Sequence, residues 1–227
     1  MRFLLVYLSL VFAAAQSTAD LETARDRQDL AALAKMAAAL GEAAAKNEGD
    51  AAAQMEFALA QSYVAEVAQE QHDKGLAKTS AETGIKAAEK AVSLKPNEPE
   101  PHRLLGVLCG QAISANVIAG LKYGKCAQES INKAIELDPK SSKAWLSHGV
   151  GNYYMPPAFG GGVEAAIRDF QKAAELDPKS ADAQLWLGLA LRKANRNAEA
   201  RHALAKAVQL NPRRVWAKQQ LEKTPAR

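Results

Sequence analysis

A seven-residue phrase that begins with Lys-Ala and ends with proline occurs four times, and it constrains the fold more than any other feature of the chain. Its copies are Lys90–Pro96, Lys133–Pro139, Lys172–Pro178 and Lys206–Pro212. In each copy the Ala and the following Leu have helical spacing, and the proline cannot continue a helix but can open a turn. The prolines are 43, 39 and 34 residues apart, a spacing typical of stacked helical hairpins. The phrase therefore predicts four helix ends in a repeated array.

The remaining composition favours the same all-α class. Hydrophobic residues make up 48% of the 227 residues, enough to bury a core, whereas aromatic residues make up only 6%. Alanine dominates the apolar fraction, so we expect helices that pack closely through small residues. No stretch alternates polar and apolar residues for long enough to predict a sheet.

The first 15 residues have the three parts of a secretory signal peptide. Arg2 supplies the positive start, residues 3–12 form an apolar run too short to span a bilayer, and residues 13–15 have the small-residue pattern of a cleavage site. We expect cleavage before Gln16 and a periplasmic or secreted mature protein with no transmembrane segment. The alternatives are an uncleaved anchor or a buried first helix.

Turn-forming residues divide the rest of the chain into an array with a cap at each end. Residues 16–49 predict one amphipathic helix, from about Asp20 to Lys46, and residues 213–227 predict a C-terminal capping helix and tail. In the first unit of the array, Thr79 and Glu82 have capping-box spacing and predict the start of a helix. The array covers residues 50–212, with units at about 50–96, 97–139, 140–178 and 179–212.

The last two units identify the kind of repeat. Small residues lie where two helices would cross, large residues lie between them and proline stands at the exit, which resembles the tetratricopeptide repeat (TPR). In the third unit Trp145, Gly149 and Phe170 match the family's tryptophan, glycine and phenylalanine, and Asn152 replaces its tyrosine. The resemblance implies a right-handed superhelix (α-solenoid) of about four TPR hairpins. The matching residues of the last unit are Leu187, Gly188, Leu191, Ala200, Leu204, Ala207 and Pro212.

Two shorter stretches resemble a narrower group of TPR proteins. Residues 106–111 together with residues 120–125 are similar to the regulator of microtubule dynamics group. Residues 153–162 are similar to that group and to the periplasmic T-component associated with TRAP transporters. The second resemblance implies a carrier of a small ligand, a lipid or a metabolite, as the alternative to a protein-binding adaptor.

The residue patterns of catalytic and metal sites are missing from the sequence. The four histidines lie in four different hairpins, without HExxH spacing and without Cys or carboxylate neighbours at ligand intervals. We therefore predict no enzyme, no metal and no cofactor, and we interpret His148 as hydrogen-bonded at a helix crossing. Gly160–Gly162 could present N–H groups to an anion, but Glu164 would repel it, so a hairpin turn is the better interpretation.

Cys109 and Cys126 are the only cysteines, and export would place them in an oxidising compartment. If the first helix of their unit runs to about Ile118 and the hairpin turns near Leu121, they are offset by on the order of 10 Å, beyond disulfide reach. We therefore predict two buried free thiols. A helix that ends near Ser114 would instead allow the bond.

The TPR resemblance places partner binding on the concave face. There the family uses the second, fifth, ninth, twelfth and thirteenth positions of the first helix of each pair. About half of these residues could instead pack in the core, because helix-spaced apolar residues usually do. The implied surface suits a peptide, extended or helical, or an amphipathic ligand with an acidic end. The predicted groove residues are Phe57, Gln61, Val64, Arg103, Val107, Gln111, Leu146, Val150, Tyr153, Tyr154, Leu185, Leu189, Arg192 and Lys193.

Positive charge is concentrated at the C-terminus. From Arg192 onwards the chain has ten Lys or Arg and two acidic residues, which could meet an acidic partner or an anionic membrane surface, or simply form a solvated cap. Nucleic acid is not expected, because basic and aromatic residues do not interleave. We expect an exported, non-catalytic TPR scaffold that binds a protein or peptide segment.

Overall fold

The computed structural model describes residues 18–115 and 119–226, and all regular secondary structure in that part of the chain is helical. This confirms the predicted all-α class, whereas the expected signal peptide, residues 1–15, lies outside the described residues. No described helix is both long and apolar enough to cross a bilayer. A short 3₁₀ helix covers Pro157–Phe159. The α-helices are α1 (18–26), α2 (Leu30–Lys46), α3 (Ala51–Glu70), α4 (Lys74–Leu94), α5 (Pro99–Ala115), α6 (Ala119–Leu137), α7 (Ser142–Tyr154), α8 (Val163–Leu176), α9 (Ala181–Lys193), α10 (Asn197–Leu210) and α11 (Val215–Glu222).

Consecutive helices pack as hairpins. The pairs are α3 with α4, α5 with α6, α7 with α8 and α9 with α10, and α4, α6 and α8 each contact the first helix of the next pair. Elements that are neighbours along the chain are therefore neighbours in space. This stacking is the architecture of a helical solenoid.

The repeated phrase ends four helices, as predicted. The helices α4, α6, α8 and α10 end at Leu94, Leu137, Leu176 and Leu210, each two residues before the proline of the phrase. The residue after the last helical one still donates its N–H into the helix, as Asp177 does to the carbonyl of Ala173 at 2.9 Å. The proline then has no N–H with which to extend the ladder.

Small residues let the helices of a pair approach closely, also as predicted. A Cβ at Gly149 would lie 2.6 Å from the ring of Phe170, and a Cβ at Gly106 would lie 2.6 Å from Ile131. Phe170 has no exposed surface and stacks on Trp186 with ring centroids 6.0 Å apart. Because no side chain separates the helices at these crossings, a large residue from the partner helix fills the space directly.

The predicted helix starts are less accurate than the predicted ends. The helix α4 begins at Lys74, and the side chain of Asp73 caps it by accepting the N–H of Leu76 at 2.9 Å. The capping-box prediction from Thr79 and Glu82 is therefore wrong. Inside α4, the Thr79 hydroxyl donates to the carbonyl of Gly75 at 2.6 Å, which shows that the same residue types can lie within a helix as well as at its start.

The predicted single helix from about Asp20 to Lys46 is divided into α1 and α2. Gln28 adopts a left-handed conformation with φ of 56°, and Asp29 caps α2 by accepting the N–H of Ala32 at 2.9 Å. A left-handed residue ends a helix because it turns the next peptide out of line. The break allows α1 to leave the direction of α2.

The cysteines form a disulfide, so the prediction of free thiols is wrong. Cys109 and Cys126 are bonded, with their Cα atoms 6.1 Å apart. Cys109 lies on α5 and Cys126 on α6, and their Cα atoms are at a distance that disulfide geometry allows. The offset of on the order of 10 Å that the prediction assumed between the two cysteines is therefore not present.

Candidate functional site

The predicted groove residues lie on α3, α5, α7 and α9, the first helices of the four pairs. Each of these helices also contacts the next one of the set, so together they present one continuous surface. We call this surface the inner wall. It brings all fourteen predicted residues onto one set of adjacent helices.

The predicted residues nevertheless have very different exposure. Val64, Leu185 and Leu189 are 3%, 1% and 4% exposed, so they pack in the core and are wrongly placed as contacts for a partner. Tyr154 is 62% exposed, and Lys193 is also exposed. The remaining nine are partly buried: Phe57, Gln61, Arg103, Val107, Gln111, Leu146, Val150, Tyr153 and Arg192.

Three of the partly buried polar residues bind other parts of the same chain. Arg103 donates two hydrogen bonds to the carboxylate of Glu100, at 2.7 and 2.6 Å. Gln111 donates to the carbonyl of Ser62 at 3.1 Å, and Arg192 donates to the side chain of Gln220 at 2.8 Å. Gln111 and Arg192 thus link different helices, whereas Arg103 pairs within α5, and all three side chains are held by the chain itself.

An aromatic cluster surrounds Tyr154, one of the exposed residues of the inner wall. Tyr154 contacts Tyr153 and Trp186 edge to face, with ring centroids 5.0 and 6.2 Å away. Lys193 lies 4.2 Å from the ring centroid of Tyr153 and donates to that residue's carbonyl at 2.7 Å. Burial, and secondly the neighbouring Tyr153, raise the pKa of Tyr154 to about 12.

Three charged residues of the inner wall were missed by the sequence analysis. They are Glu100, Lys143 and Asp182, which occupy the family's second position when Arg103, Leu146 and Leu185 occupy the fifth. Burial acts to raise the pKa of Glu100. Arg103, and secondly Lys143, lower this pKa by a larger amount, so it lies below its usual value. The positional rule of the family was the signal that could have found them.

The helix α1 lies against this charged part of the inner wall. The guanidinium of Arg25 donates to the carboxylate of Asp182 at 2.8 Å and lies 5.1 Å from the ring centroid of Tyr63. The next residue, Asp26, accepts a hydrogen bond from Asn211 at 2.6 Å. The N-terminal cap therefore contacts the fourth pair and the residue after it directly.

Arg214, the residue before α11, completes the contact between the two ends. Its side chain is 1% exposed, and it donates to Glu66 at 2.6 Å and to both oxygens of Glu70. It also donates to the carbonyl of Arg25 at 3.3 Å. We call the six residues Arg25, Asp26, Glu66, Glu70, Asp182 and Arg214 the closure network.

The closure network contains more acid than base. Its two arginines face four carboxylates, and taking charges out of water is costly unless they are paired. Burial, opposed by Arg214, raises the pKa of Glu70 to about 7. Burial also acts to raise the pKa of Asp182, but Arg25 and Arg214 outweigh it, and the net pKa is lowered. Glu70 therefore takes up a proton at a higher pH than an ordinary glutamate does.

The concave face that was predicted to bind a partner is therefore occupied by α1 at the closure network. Part of the basic C-terminus is also bound within the chain, because Arg192 and Arg201 hold the end of α11 and the residues that follow it, and Arg214 belongs to the closure network. The sequence predicted a solvated or partner-binding surface for those cations. The groups that these arginines bind are either distant in the sequence or are backbone carbonyls. Neither kind of partner produces a local sequence pattern.

The other candidate sites have structural roles. His148 shares the carboxylate of Asp169 with Asn152, at 2.8 and 2.7 Å, which confirms the predicted histidine at a helix crossing. Gly160 and Gly162 adopt positive φ values of 88° and 111° in the turn before α8, as a hairpin turn requires. Within the described residues, no group of three His, Cys, Asp or Glu side chains could hold a metal ion.

Comparison with solved structures identifies the fold. A thermophilic TPR protein of Thermus thermophilus aligns with a TM-score of 0.63 and 14% identity, over 91% of this chain and 97% of that one. Residues 41 to the end of MamA from Desulfovibrio magneticus RS-1 align with a TM-score of 0.46 and 16% identity, over 88% and 95%. PilF of Pseudomonas aeruginosa aligns with a TM-score of 0.46 and 18% identity, over 75% and 70%.

Comparison with sequences gives the same result at two levels. Two TPR profiles match residues 160–194 and 181–214, which confirms the repeat in the last two units. A profile described as regulator of microtubule dynamics protein 1-3 matches residues 16–156. A search of curated protein sequences finds no match.

Proposed function

The chain belongs to the regulator of microtubule dynamics protein 1-3 family, and from that premise we propose that it is an exported, non-catalytic TPR adaptor that binds a protein segment at its inner wall. The scaffold supports this proposal because stacked helical pairs present a long, shaped surface rather than a closed catalytic pocket. The observation that carries it is the aromatic cluster around Tyr154, a residue of the inner wall that is 62% exposed and is supported by the half-buried rings of Tyr153 and Trp186.

The chemistry of this cluster suits a protein ligand. Tyrosine and tryptophan are enriched where proteins bind one another, because they combine a large apolar area with a polar group and few rotatable bonds. Lys193 stands beside the rings and adds a positive charge. A peptide with an apolar or aromatic side chain next to a carboxylate would match both.

The export part of the proposal is supported by the disulfide. Cys109 and Cys126 are bonded, and stable disulfides persist in oxidising compartments but are rare in the cytosol. The signal-peptide pattern of residues 1–15 points to the same compartment. Replacing residues 13–15 with large side chains should retain an uncleaved precursor, which a gel shift would reveal.

The pairing of the polar groups supports the proposed absence of catalysis. The inner-wall carboxylates Glu100 and Asp182 are paired with Arg103 and Arg25, so they are held as structural acceptors rather than poised as bases. The alternative, a carrier of a lipid or metabolite, is less well supported, because charged side chains line much of the inner wall.

The test compares two exposed apolar residues. Purification from the native compartment should recover a protein partner by mass spectrometry with the wild type, and Tyr154→Ala should lose it. The control, Leu121→Ala, also removes a large exposed side chain, 93% exposed but on α6, and should keep the partner. Recovery of a lipid or metabolite in place of a protein would favour the carrier. Equal recovery of the protein partner by both variants would show that the aromatic cluster is not part of the binding site.

A further inference from the structure

The helix α1 is held on the inner wall in the manner of a bound ligand. Leu21 and Ala24 are 0% and 6% exposed and pack with Val64 and Val67 of α3. At its end, Arg25 reaches Asp182 of α9. The apolar side of one helix thus occupies an apolar strip while its charged end enters a polar site, which is the arrangement of a helix bound in a groove.

The polar site that receives α1 is assembled from distant parts of the chain. Arg25 is recognised by Asp182 on α9 and by the ring of Tyr63 on α3, and Asp26 by Asn211, just after α10. A carboxylate and an aromatic face together recognise a guanidinium by its charge and by its planar shape. The site therefore matches an arginine followed by an aspartate.

The covalent link between α1 and α2 is short. Only residues 27–29 join it to α2, and Gln28 lies there with φ of 56°. A short tether keeps a weak ligand bound because it raises the effective concentration into the millimolar range. The same tether allows an outside ligand to compete.

We propose that α1 is a tethered occupant of the inner wall, and that the protein partner is a helix of the same chemistry which displaces it. Such a helix carries leucine and alanine on one side and ends in an adjacent arginine and aspartate. This proposal rests on the proposed adaptor function and specifies its partner. The partner's arginine takes the place of Arg25 between Asp182 and Tyr63.

Two variants that remove the same ion pair separate this proposal from a structural role for α1. The probe is a fluorescein-labelled peptide of residues 18–29, measured by fluorescence anisotropy against the mature protein. Arg25→Ala weakens the tethered occupant but leaves the receiving site intact, so it should bind the peptide at least about tenfold more tightly than the wild type does. Asp182→Asn also weakens the occupant but damages the receiving site, so it should bind about tenfold more weakly than Arg25→Ala.

The controls decide the remaining cases. A peptide with Arg25→Ala should bind the Arg25→Ala protein about tenfold more weakly than the unaltered peptide. Equal binding of the peptide by the two protein variants, or no binding by either, overturns the proposal. A wild-type dimer in sedimentation that the peptide dissociates also overturns it, because the occupant would then be α1 of a second copy.

The wild-type protein provides a second test if the Arg25→Ala variant does not fold. If circular dichroism shows that Arg25→Ala is unfolded, the wild type is used with excess peptide and its amide hydrogen exchange is followed. The unaltered peptide should speed exchange in α1 and the Arg25→Ala peptide should not; no change with either overturns the proposal. A negative peptide result with a Tyr154-dependent partner still recovered from the native compartment would overturn the displacement of α1 alone.

Discussion

The hairpin stack and the closure network join parts of the chain in opposite ways. In the stack, helices adjacent in sequence meet through buried alanine, leucine and phenylalanine side chains, as Phe170 does against Gly149. In the closure network, Arg25 meets Asp182 across 157 positions and Arg214 meets Glu66 across 148, through charges. The stack is stabilised by area removed from water, and the closure by ion pairs that must compensate for their own desolvation.

The difference has a consequence for how the molecule opens. Loss of a packed residue in the stack affects the whole array, because each hairpin supports its neighbours. Loss of a charge in the closure network can release α1 while the hairpins stay folded, because local opening needs less free energy than global unfolding. The two regions should therefore respond differently to mutation and to pH.

The largest effect is expected in the stack. Phe170→Ala should lower the free energy of unfolding by about 4 kcal/mol, because it removes a fully buried ring and leaves a cavity at the α7–α8 crossing. Urea denaturation followed by circular dichroism measures this. Phe159→Ala is the matched control, since Phe159 is 75% exposed, and its effect should stay within about 0.5 kcal/mol. Similar losses for both would show that the α7–α8 crossing is not packed as described.

The next largest effect is expected in the closure network. Arg214→Ala should lower the free energy of opening of α1 by about 3 kcal/mol, because Glu66 and Glu70 are left without their cation. Hydrogen exchange of the α1 amides measures that opening, and exchange in α8 should change little. Arg213→Ala, which alters the adjacent exposed arginine, should leave both unchanged. Equal acceleration in α1 and α8 would contradict two separable regions.

The disulfide gives an intermediate effect within the stack. Replacing both Cys109 and Cys126 with alanine should lower the free energy of unfolding by about 2 to 3 kcal/mol, because the bond closes a loop of 17 residues in the unfolded chain. The urea midpoint of the wild type should fall similarly under reducing conditions, and the midpoint of the double variant should not respond. An unchanged urea midpoint of the wild-type protein under reducing conditions would argue against the disulfide.

The smallest effect is expected from pH. Burial raises the pKa of Glu70 to about 7 from an ordinary value of 4.5, so the folded protein takes up a proton that the unfolded chain would release. The contribution of Glu70 is fully present below pH 4.5 and is lost as the pH rises through 7. Closure should weaken by about 1 kcal/mol between pH 6 and pH 8, as measured by α1 exchange corrected for its intrinsic rate. Glu70→Gln should remove this pH dependence. If α1 exchange in that variant depends on pH as in the wild type, another group is responsible for the dependence.

Local patterns explain what could be predicted from the sequence. The four helix ends follow from a proline two residues beyond a leucine, and the close crossings follow from glycines such as Gly149, because each depends on residues within one hairpin. The helix starts were harder to locate. Thr79 and Glu82 have the spacing of a capping box but lie inside α4, whereas the side chain of Asp73, which the sequence analysis missed, caps the helix.

Long-range contacts explain what could not be predicted. Arg214 lies in a run of basic residues, and such runs are usually solvated, whereas here its partners are Glu66 and Glu70 on α3. The disulfide depended on where α5 ends, a matter of a few residues. Among the groove residues, Leu185 and Leu189 have the same spacing as surface positions but are buried, since periodicity identifies a face without showing what covers it.

The distance between the two ends of the chain tests the central claim most directly. Spin labels at exposed Arg27 and Lys218, next to the contacting residues Gln28 and Gln219, would report it by pulsed electron paramagnetic resonance. The wild type should give one short, narrow distance distribution at pH 6, and Arg214→Ala should give a longer and broader one. A long, broad distribution in the wild type would show that the inner wall is open and that α1 does not occupy it.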